Sequence, residues 1–331
     1  MNLYPWLDMH YYNIIYHLKN KKNNRAIILN TYKGIGTTSL IKKIGIWLLC
    51  INHMSNGCFC NQCRNCQLVS SKHHPDWYNM KLFSHNNIIG VDTVRWLCNE
   101  IFKTPKISKN KVIYFPDASQ LTEHGTNALL KTLEEPPKNT YFLLINYFSY
   151  PLLPTLRSRC TLYKISIPSE NVSINWLKNN HPEIKEHIFK TALRVNKGSP
   201  IYAKKFIFTQ LWKTRNTFFH DLTYSIKNDN LFYILDNLNL GDIKEKIFWL
   251  CSLLFDSMKA KYNDMNHIIN LDKIDIIRCF EEKYSFFSLD NSLRSWIHFN
   301  FKLINISGIN KELLLTEQLL RWESILKLYK Y

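Results

Sequence analysis

The chain has 331 residues, 46% apolar and 14% aromatic, which suffices for two or three domain cores and excludes a disordered chain. It has no run of eighteen apolar residues, which excludes a helical membrane span, and no charged-then-apolar leader, so the expected location is cytoplasmic. A formal net charge of +17 points to a polyanionic partner, nucleic acid first, although Asn-Lys runs spread along the whole chain raise the same number through composition alone.

The chain opens with Tyr4-Pro5-Trp6-Leu7 and a helical pattern whose apolar positions are Tyr12, Ile15, Tyr16 and Leu18. Ala26-Ile27-Ile28-Leu29 reads as a short buried strand. It runs into Asn30-Thr31-Tyr32-Lys33-Gly34-Ile35-Gly36-Thr37-Thr38 and then a helix over residues 39–49. Strand, glycine turn, helix is the setting of a phosphate-binding loop. The chemistry departs from it, because Thr31 stands where the first glycine belongs and Thr37 where the lysine belongs, leaving Gly34, Gly36 and Thr38. A site facing about three to four negative charges without that lysine loses several kcal/mol in a partly desolvated pocket. The expectation is a degenerate loop that does not bind ATP. Weak binding through the surviving amides is the alternative.

Five of the nine cysteines crowd into one segment: Cys50, Cys58, Cys60, Cys63 and Cys66. In a cytosolic chain this reads as a metal site. Cys60-x2-Cys63-x2-Cys66 sets three thiolates on a tight turn, and Cys50, ending the preceding helix, can close a tetrahedron around structural Zn2+. Cys58 is the surplus, since a Cys-x-Cys pair spans two corners poorly. An iron–sulfur cluster uses the same ligands and stays open as an alternative. Arg64 and Lys72 beside the cluster read as solvated charge.

Beyond His73-His74-Pro75-Asp76-Trp77-Tyr78 a strand is expected over 77–82. A helix is expected over 90–103, striped by Val91, Val94, Leu97, Cys98, Ile101 and Phe102. Lys111 to Phe115 reads as a strand ending at Pro116-Asp117-Ala118, with Asp117 as a turn or capping residue. In the stretch from Asn127 to Pro137, NALLKTLEEPP, Leu129, Leu130 and Leu133 share a helical face, and Pro136 and Pro137 stop the helix. Tyr141 to Ile145 is a strand covered on both faces. After Pro151 and Pro154 come Leu156-Arg157-Ser158-Arg159-Cys160 and a strand over 162–165. Pro168-Ser169-Glu170 reads as a linker. In the helical unit that follows, Gly198 ends one helix and Ser199-Pro200 opens the next. From Phe208 onward glycine and proline almost vanish. Ile247, Leu250, Cys251, Leu254 and Met258 line one helix, and Leu313, Leu314, Leu320 and Leu326 line parts of the last. His220, His267 and His298 form no ligand pattern.

NALLKTLEEPP, a buried strand and Ser158-Arg159-Cys160 in that order resemble the clamp-loader branch of the AAA+ proteins. The opening Tyr4 to Leu7, the His73 to Tyr78 string and Gly90-Val91-Asp92-Thr93-Val94-Arg95 narrow the resemblance to the delta-prime family of bacterial DNA polymerase III, from the first residues to about Leu320. It implies an α/β N-terminal AAA+ (RecA-like) parallel-sheet domain over 1–166 with a zinc insertion at 50–66, a helical lid over 167–207, and an all-α collar over 208–331. It implies Cys50, Cys60, Cys63 and Cys66 as metal ligands. It also implies a non-motor subunit, since an active motor follows the aspartate at 117 with a glutamate and this chain has Ala118. The nucleotide-sensing arginine that many such proteins carry after a Gly-Ser pair is likewise replaced, by Pro200 and Ile201.

Arg159 then takes the role of an arginine finger in trans for a neighbouring ATPase, with Arg157 facing elsewhere; a structural ion pair is the alternative role for Arg159. The implied partners are gamma/tau-type ATPase subunits and a delta wrench subunit in a hetero-pentamer. Through that complex they include the sliding clamp and primed DNA, within a DNA-directed DNA polymerase holoenzyme, a nucleotidyltransferase. Two other classes remain open at this point: an active AAA+ ATPase, and a stand-alone zinc-containing nucleic-acid-binding protein.

Overall fold

Successive side chains of a strand point to opposite faces of its sheet, and in the first half of this chain both faces are apolar. The computed structural model describes residues 3–20, 25–54, 57–84, 86–151, 153–305 and 310–328, which divide into two units at Pro168 and Ser169. In the first unit β1 (Ala26–Thr31), β2 (Trp77–Asn79), β3 (Lys111–Phe115), β4 (Thr140–Tyr147) and β5 (Thr161–Lys164) form one parallel sheet in the order β2-β3-β4-β1-β5. In register, Ile28 lies between Leu144 and Leu162. Ile27, Leu29, Val112, Tyr114, Leu143 and Ile145 pack beneath α1 (Asp8–Asn20) and α2 (Thr37–Leu49), with α3 (Arg64–Ser70) against α2. Ala26, Ile28, Ile113, Phe115, Phe142 and Leu144 pack against α4 (Val91–Phe102), α5 (Glu123–Glu134) and α6 (Pro154–Arg159) on the other face. The result is a three-layer α/β/α unit. Its parallel strands present their C-terminal ends along one edge, the place where such sheets position functional loops.

Several expected elements shift. On α1 the buried side chains are Tyr11, Ile14, Ile15 and Leu18, while Tyr12 and Tyr16 are exposed. The 3-10 turn Pro5–Leu7 runs straight into α1 and sets its phase, and the Tyr11 hydroxyl donates to the Gly57 carbonyl at 2.6 Å. The strand expected over 77–82 stops at Asn79, whose side chain accepts the Lys81 amide and starts a 3-10 turn, Met80–Phe83. The stripe on α4 ends at Ile101, because Phe102, in the last position, is 68% exposed.

The second unit is all helical: α7 (Glu170–Asn180), α8 (Glu186–Val195), α9 (Pro200–Phe208), α10 (Gln210–Lys227), α11 (Leu235–Asn239), α12 (Ile243–Lys261), α13 (Ile274–Lys283), α14 (Phe286–Asn305) and α15 (Lys311–Leu328). One continuous core runs through it, built on Phe189, Phe218, Trp249, Phe280, Trp296 and Trp322. Gly198, at φ 77°, returns its amide to the Leu193 carbonyl at 2.7 Å, closing α8 before Pro200 opens α9. On α15 the inward face is Leu315, Leu319, Trp322 and Leu326. Leu313 and Leu320 are exposed instead, since the helix packs about a residue out of the expected phase. Arg215, fully buried, donates to both Asp272 carboxylate oxygens (2.7 and 2.9 Å) and to Asn270 Oδ1 (2.7 Å), and lies over the Phe219 ring. A buried guanidinium is tolerable because both Nη groups meet matched acceptors and the plane lies on a ring face, while Nε meets no partner among the described residues.

Candidate functional site

α2 links two of the expected sites, with the glycine loop at its N-terminus and Cys50 just past its C-terminus, about 20 Å apart for thirteen residues. Cys50 is the extended residue that ends the helix. Asn61, at φ 58°, turns the chain between Cys60 and Cys63. Cys63 caps α3, and Cys66 lies in its first turn. The Sγ atoms of Cys50, Cys60, Cys63 and Cys66 all lie within 4.8 Å of one another. Cys50–Cys60 is 3.5 Å, and Cys50–Cys63 and Cys60–Cys66 are each 4.0 Å. Four sulfurs each 2.3 Å from a central ion stand about 3.8 Å apart, so the spacing is that of a tetrahedral thiolate site. Cys58 is exposed and outside the cluster.

Local chemistry favours a thiolate at Cys60. The Cys63 amide donates to Cys60 Sγ (3.3 Å) and the Cys66 amide to Cys63 Sγ (3.4 Å). The backbone amides of Cys63 and Gln62 pull the Cys60 thiol down to about 6, while burial pushes Cys50 and Cys66 up. The frame is rigid. Asn65, fully buried, donates to the Leu49 carbonyl at 2.8 Å, and Asn110 donates to the Leu48 carbonyl at 2.6 Å, satisfying the open end of α2.

The glycine loop has the backbone of a phosphate cradle, with Gly34 at φ 78° and Gly36 at φ 90° capping α2. Its interior is taken. Thr31 and Thr37, the two departures from the phosphate-binding pattern, are both buried and share a hydrogen bond at 3.0 Å. The Thr38 hydroxyl meets the Tyr114 phenol, which burial pushes up to about 12. On the loop itself, Lys33 Nζ sits 5.1 Å from the Tyr147 ring centre and 6.0 Å from that of Tyr150, and the Tyr32 and Phe148 rings are 4.6 Å apart. Trp6 Nε1 donates to the Ile35 carbonyl at 2.8 Å, which gives the opening Tyr-Pro-Trp-Leu string a physical role. Asp117 is a cap: its carboxylate accepts the Ser119 amide at 3.0 Å and the Ser119 hydroxyl at 2.6 Å, while Ala118 is buried.

Arg159 ends α6, with its side chain 30% exposed. Its Nε donates to Glu134 Oε1 at 2.5 Å, and its Nη1 donates to the Thr155 carbonyl and Ser158 Oγ, each at 3.3 Å. Among the described residues Nη2 meets no acceptor, and Arg157 is exposed with no ion pair. Glu134, the first glutamate of the Leu-Glu-Glu-Pro-Pro string, was visible in the sequence only as part of a motif.

The His73 to Tyr78 string also proves structural. The His74 Nδ1 accepts the Asp76 amide at 3.1 Å, and the fully buried Asp76 carboxylate accepts the amides of Lys106, Ile107 and Ser108 and the Ser108 hydroxyl at 2.7–3.0 Å. Burial acts to raise the Asp76 carboxyl, but these donors outweigh it and hold it below its ordinary range.

A family profile described as "DNA polymerase III, delta subunit" matches residues 9–169, and one described as "DNA polymerase III, delta subunit, C terminal" matches residues 209–324. The DNA polymerase III subunit delta' of Buchnera aphidicola subsp. Acyrthosiphon pisum is 44% identical over 326 residues, spanning 98% of this chain and 99% of the relative. That of Escherichia coli K12 is 32% identical over 327 residues, spanning 99% of this chain and 97% of the relative. The DNA polymerase III subunit gamma of Buchnera aphidicola subsp. Schizaphis graminum is 32% identical over 158 residues, 48% of this chain and 42% of the relative.

Proposed function

Since the chain belongs to the delta-prime family of DNA polymerase III subunits, we propose that it is a non-motor subunit of the clamp loader that lends Arg159 to a neighbouring ATPase. The observation that carries the non-motor part is the Thr31–Thr37 pair. Two buried hydroxyls 3.0 Å apart fill the space that a glycine would leave open and a lysine would reach across. With Ala118 in place of a water-polarising glutamate, the chain lacks both the phosphate clamp and the base.

In this reading the Arg159 guanidinium is the catalytic contribution. It carries a permanent charge at the end of a short helix, with one free N–H edge for a transferring γ-phosphoryl. The partners are gamma/tau-type ATPase subunits and a delta-type subunit in a ring that acts on the sliding clamp and primed DNA in the cytoplasm. The 167–207 helices serve as a lid and the 208–331 helices as a collar.

The four-cysteine cluster holds structural Zn2+ through Cys50, Cys60, Cys63 and Cys66. A closed thiolate set of this spacing suits zinc, and both helix ends that carry it are hydrogen-bonded in place. Bound there, the ion supplies cohesion to the 50–66 insertion and no reactive position. The test is an ATP titration of the isolated chain followed by reconstitution with the gamma- and delta-type subunits. Failure to bind ATP alone, with restored clamp- and DNA-stimulated hydrolysis in the complex, is expected. Tight, magnesium-dependent turnover by the isolated chain refutes the reading.

A further inference from the structure

We infer that Glu134 is a positioning residue that sets the Arg159 guanidinium in a fixed orientation before any partner arrives, an inference that rests on the reading of Arg159 as a finger. An arginine on a helix end carries a long, rotamer-rich side chain, and ordering it at the moment of reaction costs entropy. Here that ordering is already done. Oε1 of Glu134 holds Nε at 2.5 Å, and the Thr155 carbonyl and Ser158 Oγ hold Nη1, both at 3.3 Å. With Nε and Nη1 engaged on different edges of the planar fork, Nη2, which meets no acceptor among the described residues, is left for a phosphoryl oxygen.

Glu134 is itself well placed to act as a fixed post. It is the last residue of α5, Leu129 and Leu133 anchor that helix in the core, and Leu156 anchors the neighbouring α6. Pro136 and Pro137 keep the helix from continuing just beyond. The pair is part-exposed, 30% at Arg159 and 48% at Glu134, so it contributes little to stability. Its contacts come from two separate helices and converge on one atom group, an arrangement suited to aiming a charge more than to holding a fold.

The experiment is steady-state ATP hydrolysis, with clamp and primed DNA, by complexes reconstituted with wild-type chain, Arg159→Ala, Glu134→Ala, Glu134→Gln and the double alanine variant, alongside melting and assembly. Glu134→Ala is expected to reproduce most of the Arg159→Ala loss as a fall in kcat, roughly 3- to 10-fold at the site concerned, with KM for ATP unchanged. Glu134→Gln, which keeps an acceptor for Nε, should fall between it and wild type. The double variant should be no worse than Arg159→Ala, because positioning is worthless without the positioned group.

If Arg159→Ala hydrolyses normally, the finger reading itself fails. If Arg159→Ala is impaired but Glu134→Ala is normal or faster, or the two losses multiply in the double variant, the finger stands and the positioning role is overturned. Poor assembly of Glu134→Ala with wild-type hydrolysis per assembled complex in Glu134→Gln also overturns it.

Discussion

Replacing Thr37 by lysine restores, on paper, the residue that the phosphate-binding pattern lacks, and the structure predicts that it will not restore binding. Thr37 is 4% exposed and Thr31 is fully buried, and their hydroxyls are 3.0 Å apart. The substitution removes that buried hydrogen bond, worth about 1 kcal/mol, and forces extra methylenes into a filled site at about 1–3 kcal/mol. The added ammonium stems from an almost fully buried position, so its charge is partly desolvated. The expected sum is roughly 2–4 kcal/mol, a fall of about 5–15 °C in the melting temperature of a unit this size, with no gain in ATP affinity. Thr31→Gly/Thr37→Lys, which empties the space first, should bind nucleotide better than either single variant. The assay is paired: nucleotide titration with and without magnesium, and thermal melting, on all three variants. Sub-millimolar ATP binding by Thr37→Lys at an unchanged melting temperature would refute the argument that the loop is filled, leaving only a missing charge.

Metal analysis should find one Zn2+ per chain. Cys63→Ser, which removes both a ligand and the cap of α3, should lose the metal and unfold at least the insertion, whereas Cys58→Ser should keep it; iron in the purified protein, or retained zinc in Cys63→Ser, goes against the assignment. Arg159→Ala should leave the melting temperature nearly unchanged while lowering stimulated hydrolysis of the assembled complex only in part, and Arg159→Lys should rescue poorly because an ammonium lacks the planar fork. Asp76→Asn should destabilise the first unit by about 2–3 kcal/mol near neutral pH, since a neutral amide accepts the converging donors more weakly. Because the Asp76 carboxyl is held below its ordinary value, its contribution is complete above the unfolded-state pKa near 4 and is lost as pH falls through the lower folded value. A wild-type-minus-mutant stability difference that stayed constant from pH 6 to pH 2 would contradict that linkage.

Runs of like character were legible in the sequence because they depend on near neighbours. The apolar strands from Ala26, Lys111 and Tyr141 form β1, β3 and β4, and the cysteine spacing picked out the four that cluster and the one that does not. Both are short-range patterns, set by strand alternation and by the reach of a tight turn. The phase of α1, α4 and α15 was less legible. A stripe of large residues does not say which edge of it faces the core, so Tyr12, Phe102 and Leu320 proved exposed.

Residue identity alone determined that the glycine loop lacks its lysine, that Ala118 replaces a glutamate, that four thiols are spaced for one metal, and that an arginine stands between Ser158 and Cys160. What occupies the loop was decided only by the tertiary structure, because Thr31, Thr37, Tyr114 and Tyr147 come from three strands and one helix that the sheet order brings together. The partner of Arg159 was decided the same way. Glu134 is 25 residues away in sequence, and only the packing of α5 beside α6 closes that distance to 2.5 Å. Side chains that far apart meet through burial of the apolar residues between them, and no local propensity encodes the meeting.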